Sequence, residues 1–138
     1  MKTPMAFQVK LDVPYEQAVE RAAAALKEEG FGVLTEIDVT ATLKEKLDLD
    51  FKRYVILGAC NPPLAHQALE SEEMIGLLLP CNVTVAEREG GSLVSILNPE
   101  MMLAVEPLGE NQGVRSVAEQ AGERLERVAE RLKEQAKS

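Results

Sequence analysis

The chain has 138 residues, enough for one domain spanning 1–138 with a core that needs no disulfide staple. Its net charge is −8, with 15 Lys and Arg scattered among 23 Asp and Glu, no Trp, three Phe and two Tyr; nucleic-acid binding, which needs a positive face and stacking aromatics, is disfavoured. No apolar run approaches the roughly 20 residues that span a bilayer, and the two cysteines follow no signal peptide, so a soluble protein of the reducing cytoplasm is expected.

Residues 5–11 alternate, with Met5, Phe7, Val9 and Leu11 on one side and Gln8 and Lys10 on the other, which predicts a strand with one wet face. Over residues 14–29 the period changes: Tyr15, Ala18, Val19, Ala22 and Leu26 recur at three and four, the mark of an amphipathic helix. Pro14 suits its first turn and Gly30 the left-handed position just past its last. Residues 31–39 return to alternation, placing Phe31, Val33, Ile37 and Val39 inward and Glu36 and Asp38 outward. Thr40 is a candidate cap for a short helix ending at Leu47.

Residues 51–60 predict a third strand, apolar on both faces: Tyr54 and Ile56 lie on one, Val55, Leu57 and Ala59 on the other. Something must cover each face. Asn61-Pro62-Pro63 stops the strand and starts a helix through Ser71, with Asn61 as N-cap and Pro62 as first residue. A further turn near residues 71–74 leads through Leu77-Leu78-Leu79 to Pro80. Residues 81–88 and 92–98 are strands joined by a tight hairpin at Gly90-Gly91. A short turn of helix at residues 100–104 and a loop follow. In the last and longest element Val114, Ala118, Ala121, Leu125, Val128 and Leu132 form a narrow helical seam. This order predicts an α+β two-layer sandwich, a mainly antiparallel sheet of about five strands with helices on one face.

The chemistry-bearing residues gather in residues 54–87, which hold both cysteines, the lone histidine and three of the seven prolines. Cys60-Asn61-Pro62 and Pro80-Cys81-Asn82 are near-mirror settings, each where an apolar run meets something that breaks it. A helix starting right after Cys60 would stabilise its thiolate, making it a candidate nucleophile or soft-metal ligand; cysteine is also a common buried space-filler. His66 lies six residues after Cys60 and four before Glu70, which on a helix reaches its ring. Cys60, His66 and Glu70 are the ingredients of a nucleophile, its base and its orienter, yet their spacing matches no local motif of a cysteine enzyme. Two Cys and one His are also three potential ligands for zinc or copper(I), though 20 residues separate the cysteines. Asn61 and Asn82 read as caps or as ligand-orienting amides. Pro62 and Pro80 read as residues that fix the chain.

Three stretches, Gly30-Phe31-Gly32-Val33-Leu34-Thr35-Glu36, Leu57-Gly58-Ala59-Cys60-Asn61-Pro62 and Leu79-Pro80-Cys81-Asn82-Val83, together resemble the domain-of-unknown-function family 302 of small prokaryotic proteins. The resemblance covers nearly the whole chain. It implies an α+β fold of the TATA-box-binding-protein type, strand, helix, four strands, helix, with the sheet covered on one face. The fold name carries no claim of DNA binding, and the family supplies no catalytic residue. The enrichment in Ala, Glu, Leu and Arg resembles proteins from hot environments.

The reading preferred from these residues is a homodimeric binding module, holding a small ligand or soft metal at a pocket formed by Cys60, Asn61, Pro62, His66, Pro80, Cys81 and Asn82. A homodimer is expected because a two-layer sandwich leaves one face of the third strand bare. One alternative is a thiol-dependent enzyme or redox protein using Cys60 with Cys81 or His66. The other is a structural or interaction protein without a small-molecule site. No complete nucleophile, base and orienter set and no cofactor fingerprint is present.

Overall fold

Five strands, β1 (Ala6–Leu11), β2 (Gly32–Asp38), β3 (Tyr54–Cys60), β4 (Cys81–Arg88) and β5 (Gly91–Leu97), form one sheet in the order β1-β5-β4-β3-β2. Every neighbouring pair is antiparallel. The helices are α1 (Tyr15–Glu28), α2 (Val39–Leu47), α3 (Pro62–Ser71), α4 (Pro99–Met102) and α5 (Gln112–Ala136), with 3-10 turns at Glu73–Leu78 and Leu108–Glu110. The structure is a computed structural model and describes residues 1–136.

Alternation puts Phe7, Val9, Leu11, Val55, Leu57, Ala59, Val83, Val85, Val94 and Ile96 on one face of the sheet, and all are buried. Helices α1 and α5 cover that face. The predicted seam of α5 is buried at every position from Val114 to Leu132. Helix α1 contributes Ala18, Ala22, Ala25 and Leu26, three of them small enough for its backbone to sit close to the sheet. It ends as the sequence predicts. Gly30 adopts φ +86°, its N–H donates to the Lys27 carbonyl and the Phe31 N–H to that of Leu26, a Schellman motif closed by the buried Leu26 and Phe31.

Among the described residues no helix layer covers the other face of the sheet; α2 touches β2 and β3 but buries none of its own residues. The register aligns Ile37, Ile56, Thr84, Ser95 and Gln8 in one row across all five strands, with Tyr54, Ala86, Leu93 and Lys10 in the next. Ile37 is 50% exposed there, and Ile56 and Leu93 are half-buried. This corrects the expected facing of β2. A bulge between Val33 and Thr35 gives Leu34 no partner on β3, so the alternation inverts. Val33 stays against the core, while Ile37 turns to the bare face. Val39 leaves the sheet altogether, as the first residue of α2.

Asp38, not Thr40, caps α2: its Oδ1 accepts from the Ala41 N–H at 2.9 Å. Thr40 ties α2 to the strand instead, accepting from the Tyr54 N–H and donating to the Lys52 carbonyl. Helix α2 buries none of its residues. The hairpin between β4 and β5 turns on Glu89 and Gly90, since Arg88 already pairs with Gly91. Gly90 supplies the positive φ. Gly91 is needed for a different reason, because a Cβ there would strike the Leu11 carbonyl oxygen. The first half of the outer edge of β1 is covered by the first residues of the chain, with Lys2 bridging to Phe7 and the Gln8 N–H donating to the Met1 carbonyl. No helix among the described residues is long and apolar enough to cross a membrane.

Candidate functional site

Two glycines bring the three motif stretches together at one end of the sheet. Gly58 lies between Thr35 on β2 and Asn82 on β4. A Cβ at Gly58 would strike Thr35 Oγ1 and stand 2.8 Å from Pro80 Cγ, so only a hydrogen lets all three stretches close over that point. Gly30 does the same on the helical side, where a Cβ would meet Asn61 Nδ2 at 3.0 Å.

Inside this junction is a cavity of about 30 Å³, bordered by Cys60, Asn61, Pro80 and Cys81 together with Phe31, Leu64, Leu79, Leu103, Val117 and Ala121. The volume would admit a single water, which needs about 10–15 Å³, but the walls offer it few polar partners and such cavities stay dry. Its walls are therefore almost wholly apolar, with the buried Cys81 thiol as the chief exception. Leu103, Val117 and Ala121 arrive from α4 and α5, and sequence reasoning missed them. Only the fold brings them to the cysteines.

Both thiols are free, and burial acts on both. Cys81 is 8% exposed, and its pKa is pushed up to about 11, first by burial and then by the neighbouring charge of Cys60. Cys60 is half-buried and its thiol is also raised, by burial. The register explains the difference. Cys81 pairs with Ala59, so Cys60 is one residue out of step, and the pleat sends the two side chains to opposite faces. They are neighbours in the sheet, as their settings suggest, yet their Cβ vectors diverge, a poor arrangement for a disulfide.

The helix after Cys60 gives its thiolate less than expected. Asn61 caps α3, its Oδ1 accepting from the Leu64 N–H at 3.2 Å, and the Ala65 N–H donates to the Asn61 carbonyl. Pro62 and Pro63 have no N–H. Every backbone donor of the first turn is thus absent or used, which leaves Cys60 only the weak helix dipole against its desolvation.

Three of the expected site residues lie elsewhere. His66 is on the outer face of α3, its side chain 75% exposed and Nε2 3.2 Å from Glu70 Oε1, in a shallow depression with Gln67, Ser71 and Ser116. It does not border the cavity, so the Cys60 and His66 pairing has no geometric support. Pro62 is exposed at the start of α3, and Asn82 is exposed on the bare face of the sheet. Among the described residues no group of three or more His, Cys, Asp or Glu is placed to hold a metal.

Beside Gly30 stands a charged cluster that spacing within any one element does not reveal. Glu29, 6% exposed at the C-terminal end of α1, accepts from Arg127 Nε at 2.8 Å and from Arg131 Nε at 3.0 Å, while Arg124 donates to its carbonyl. Burial raises the Glu29 pKa, and the hydrogen bonds and charges of Arg127 and Arg131 more than reverse this, leaving it below its ordinary value. The cluster anchors the end of α1 to α5. A carboxylate at a helix C-terminus opposes the dipole, and the two guanidiniums offset that as well.

Comparison with known proteins agrees with this geometry. The model of the family described as "Domain of unknown function DUF302" matches residues 7–132. A solved structure titled "Crystal structure of uncharacterized conserved protein DUF302 from Bacillus stearothermophilus" is 30% identical, with a TM-score of 0.81 over 92% of this chain and 97% of that one. No curated protein matches. Family model, solved relative and the packing of the three motif stretches coincide, and the chain belongs to the domain of unknown function family DUF302.

Proposed function

We propose that this chain is a non-enzymatic binding module of the cytoplasm, acting as a homodimer and holding a small apolar ligand where Cys60, Asn61, Pro80 and Cys81 meet. The observation that carries the reading is the convergence of these four residues, from β3, α3 and the approach to β4, on one apolar cavity. A soft metal is the weaker occupant, because two thiols both held protonated by burial would be its whole protein ligand set. At about 30 Å³ the cavity is far below the roughly 300 Å³ of ordinary ligand pockets, so a ligand enters by displacing Leu79 or Leu103. The second copy seats on the bare sheet face, where Ile37, Ile56 and Leu93 lack cover, next to a helix α2 that buries nothing.

Native mass spectrometry of untagged protein tests the ligand. The expected result is a small retained molecule in the wild type, lost in Ala121→Leu, which fills the cavity. An unladen wild type whose cavity methyl NMR signals also ignore small apolar probes would defeat the reading.

A further inference from the structure

A second, larger recess lies on the far side of Leu103. Its volume is about 260 Å³, and it is bordered by α4, the residues after it and the first half of α5. Leu103, Ala104 and Ala118 give it an apolar floor, and Glu100, Glu106, Glu119 and Arg115 stand around the rim. No ion pair among the described residues joins any of these four charged side chains, although Arg115 and Glu119 are four apart on one helix. All four residues are exposed, so their charges are solvated and open to a cation from solution. Three carboxylates to one guanidinium make the rim negative, and the net charge of −8 adds to the attraction for a cation.

One backbone feature shapes the recess. Gly122 sits inside α5, where glycine costs about 1 kcal/mol against alanine. A Cβ there would stand 3.1 Å from Glu100 Oε1 and 3.3 Å from its Cγ. The missing side chain lets the Glu100 carboxylate lie against the helix, at the end of the apolar floor.

We infer that this recess binds a small primary amine bearing an apolar substituent, its ammonium on Glu100 with Glu119 and Glu106 nearby and its apolar part on Leu103 and Ala118. Arg115 stands at the rim one turn before Glu119 on α5 and offsets part of its charge. A volume below that of a drug-sized pocket limits the ligand to a short chain or a single ring. The site shares only Leu103 with the cysteine cavity and stands whether or not that cavity takes a ligand.

Titration of the full chain with isopentylamine, followed by amide NMR, is the test, with isopentanol and 4-methylpentanoate as neutral and anionic counterparts. The amine is expected to shift resonances of residues 100–109 and 115–119 saturably, to weaken with salt, and to bind more tightly than the alcohol. Glu100→Gln should weaken it about tenfold or more, the worth of a hydrogen bond to a charged group. Arg115→Gln should leave the affinity unchanged or raise it a few fold, and Ala118→Phe should abolish binding by filling the floor. Should Glu100→Gln fail to fold by circular dichroism, Glu119→Gln serves, with a smaller loss. Equal binding of amine and alcohol, tighter binding of the carboxylate, no saturable shift, or full affinity in the folded glutamate variants would each overturn the inference. Unchanged amine binding in Ala121→Leu alongside lost amine binding in Ala118→Phe separates this site from the cysteine cavity.

Discussion

Replacing Gly58 by alanine probes the junction of the three motif stretches with a single methyl group. The new Cβ would strike Thr35 Oγ1 and stand 2.8 Å from Pro80 Cγ. The two obstacles differ. Thr35 is exposed and its hydroxyl has another staggered rotamer open to it, whereas the Pro80 ring is half-buried and cannot rotate. The cost therefore rests on moving Pro80, and overpacking of this kind costs about 1–3 kcal/mol. For 138 residues the unfolding entropy is about 0.29 kcal/mol per kelvin, so thermal denaturation followed by circular dichroism should show a Tm lower by about 3–10 °C. Thr35→Ala added to Gly58→Ala should recover less than half of the loss, since the ring remains. A displaced Pro80 also uncovers Cys81, whose alkylation should quicken in the variant. A Gly58→Ala protein that melts with the wild type, or one fully rescued by Thr35→Ala, would refute the argument that Pro80 is pinned there.

Cys60 should react with iodoacetamide faster than Cys81 in the folded protein because it is more exposed, and both rates should rise with pH well past neutrality, since burial holds both thiols protonated; site-resolved mass spectrometry reads this, and equal rates would contradict it. Removing Arg127 and Arg131 together should cost about 2–3 kcal/mol near neutral pH, hydrogen bonds to a buried charge discounted for the half-exposed guanidiniums. Because the folded Glu29 pKa lies below the unfolded one, that stabilisation is complete above the usual carboxylate range and disappears as pH falls through the folded value. Urea midpoints near pH 7 and about pH 2.5 should thus differ between the proteins only at the higher pH, and a constant gap would tell against the ion-pair account. Ile56→Lys puts a charge in the central row of the bare sheet face and should convert a dimer to a folded monomer of 15.1 kDa by light scattering. A wild type that already runs at that mass would remove the dimer.

Elements with a long, one-sided pattern were legible in the sequence. The buried seam of α5, the Gly30 ending of α1 and the Asn61 cap of α3 follow from residue type and spacing alone. The bulge in β2 was not legible, because a bulge adds one residue of backbone without marking any side chain, and it reversed the facing of Ile37. The matched settings of Cys60 and Cys81 correctly suggested adjacent strands but hid a register offset of one residue, which decides where a thiol points. The overstatement of the helix terminus beside Cys60 was avoidable. Counting donors in Asn61-Pro62-Pro63-Leu64 shows two prolines without N–H and a third position taken by the cap. The apolar walls from α4 and α5, and the reach of Arg127 and Arg131 to Glu29, depend on tertiary contacts between residues far apart in the chain.

The two borders of the sheet are finished differently, and this governs how molecules of this protein can add to one another. The chain's own first residues occupy the hydrogen-bonding rim of β1 from Ala6 to Gln8, so an incoming strand finds half of that rim taken. On β2 the kink at Leu34 breaks the even spacing of ladder groups that a docking strand would need. Rim-to-rim addition is the route by which sheets run on into open-ended fibrils, and both ends of this one obstruct it. What stays available is contact between broad faces. In the dimer proposed above, a pair joined face to face would hide the surface that joined it, so such assembly would stop at two.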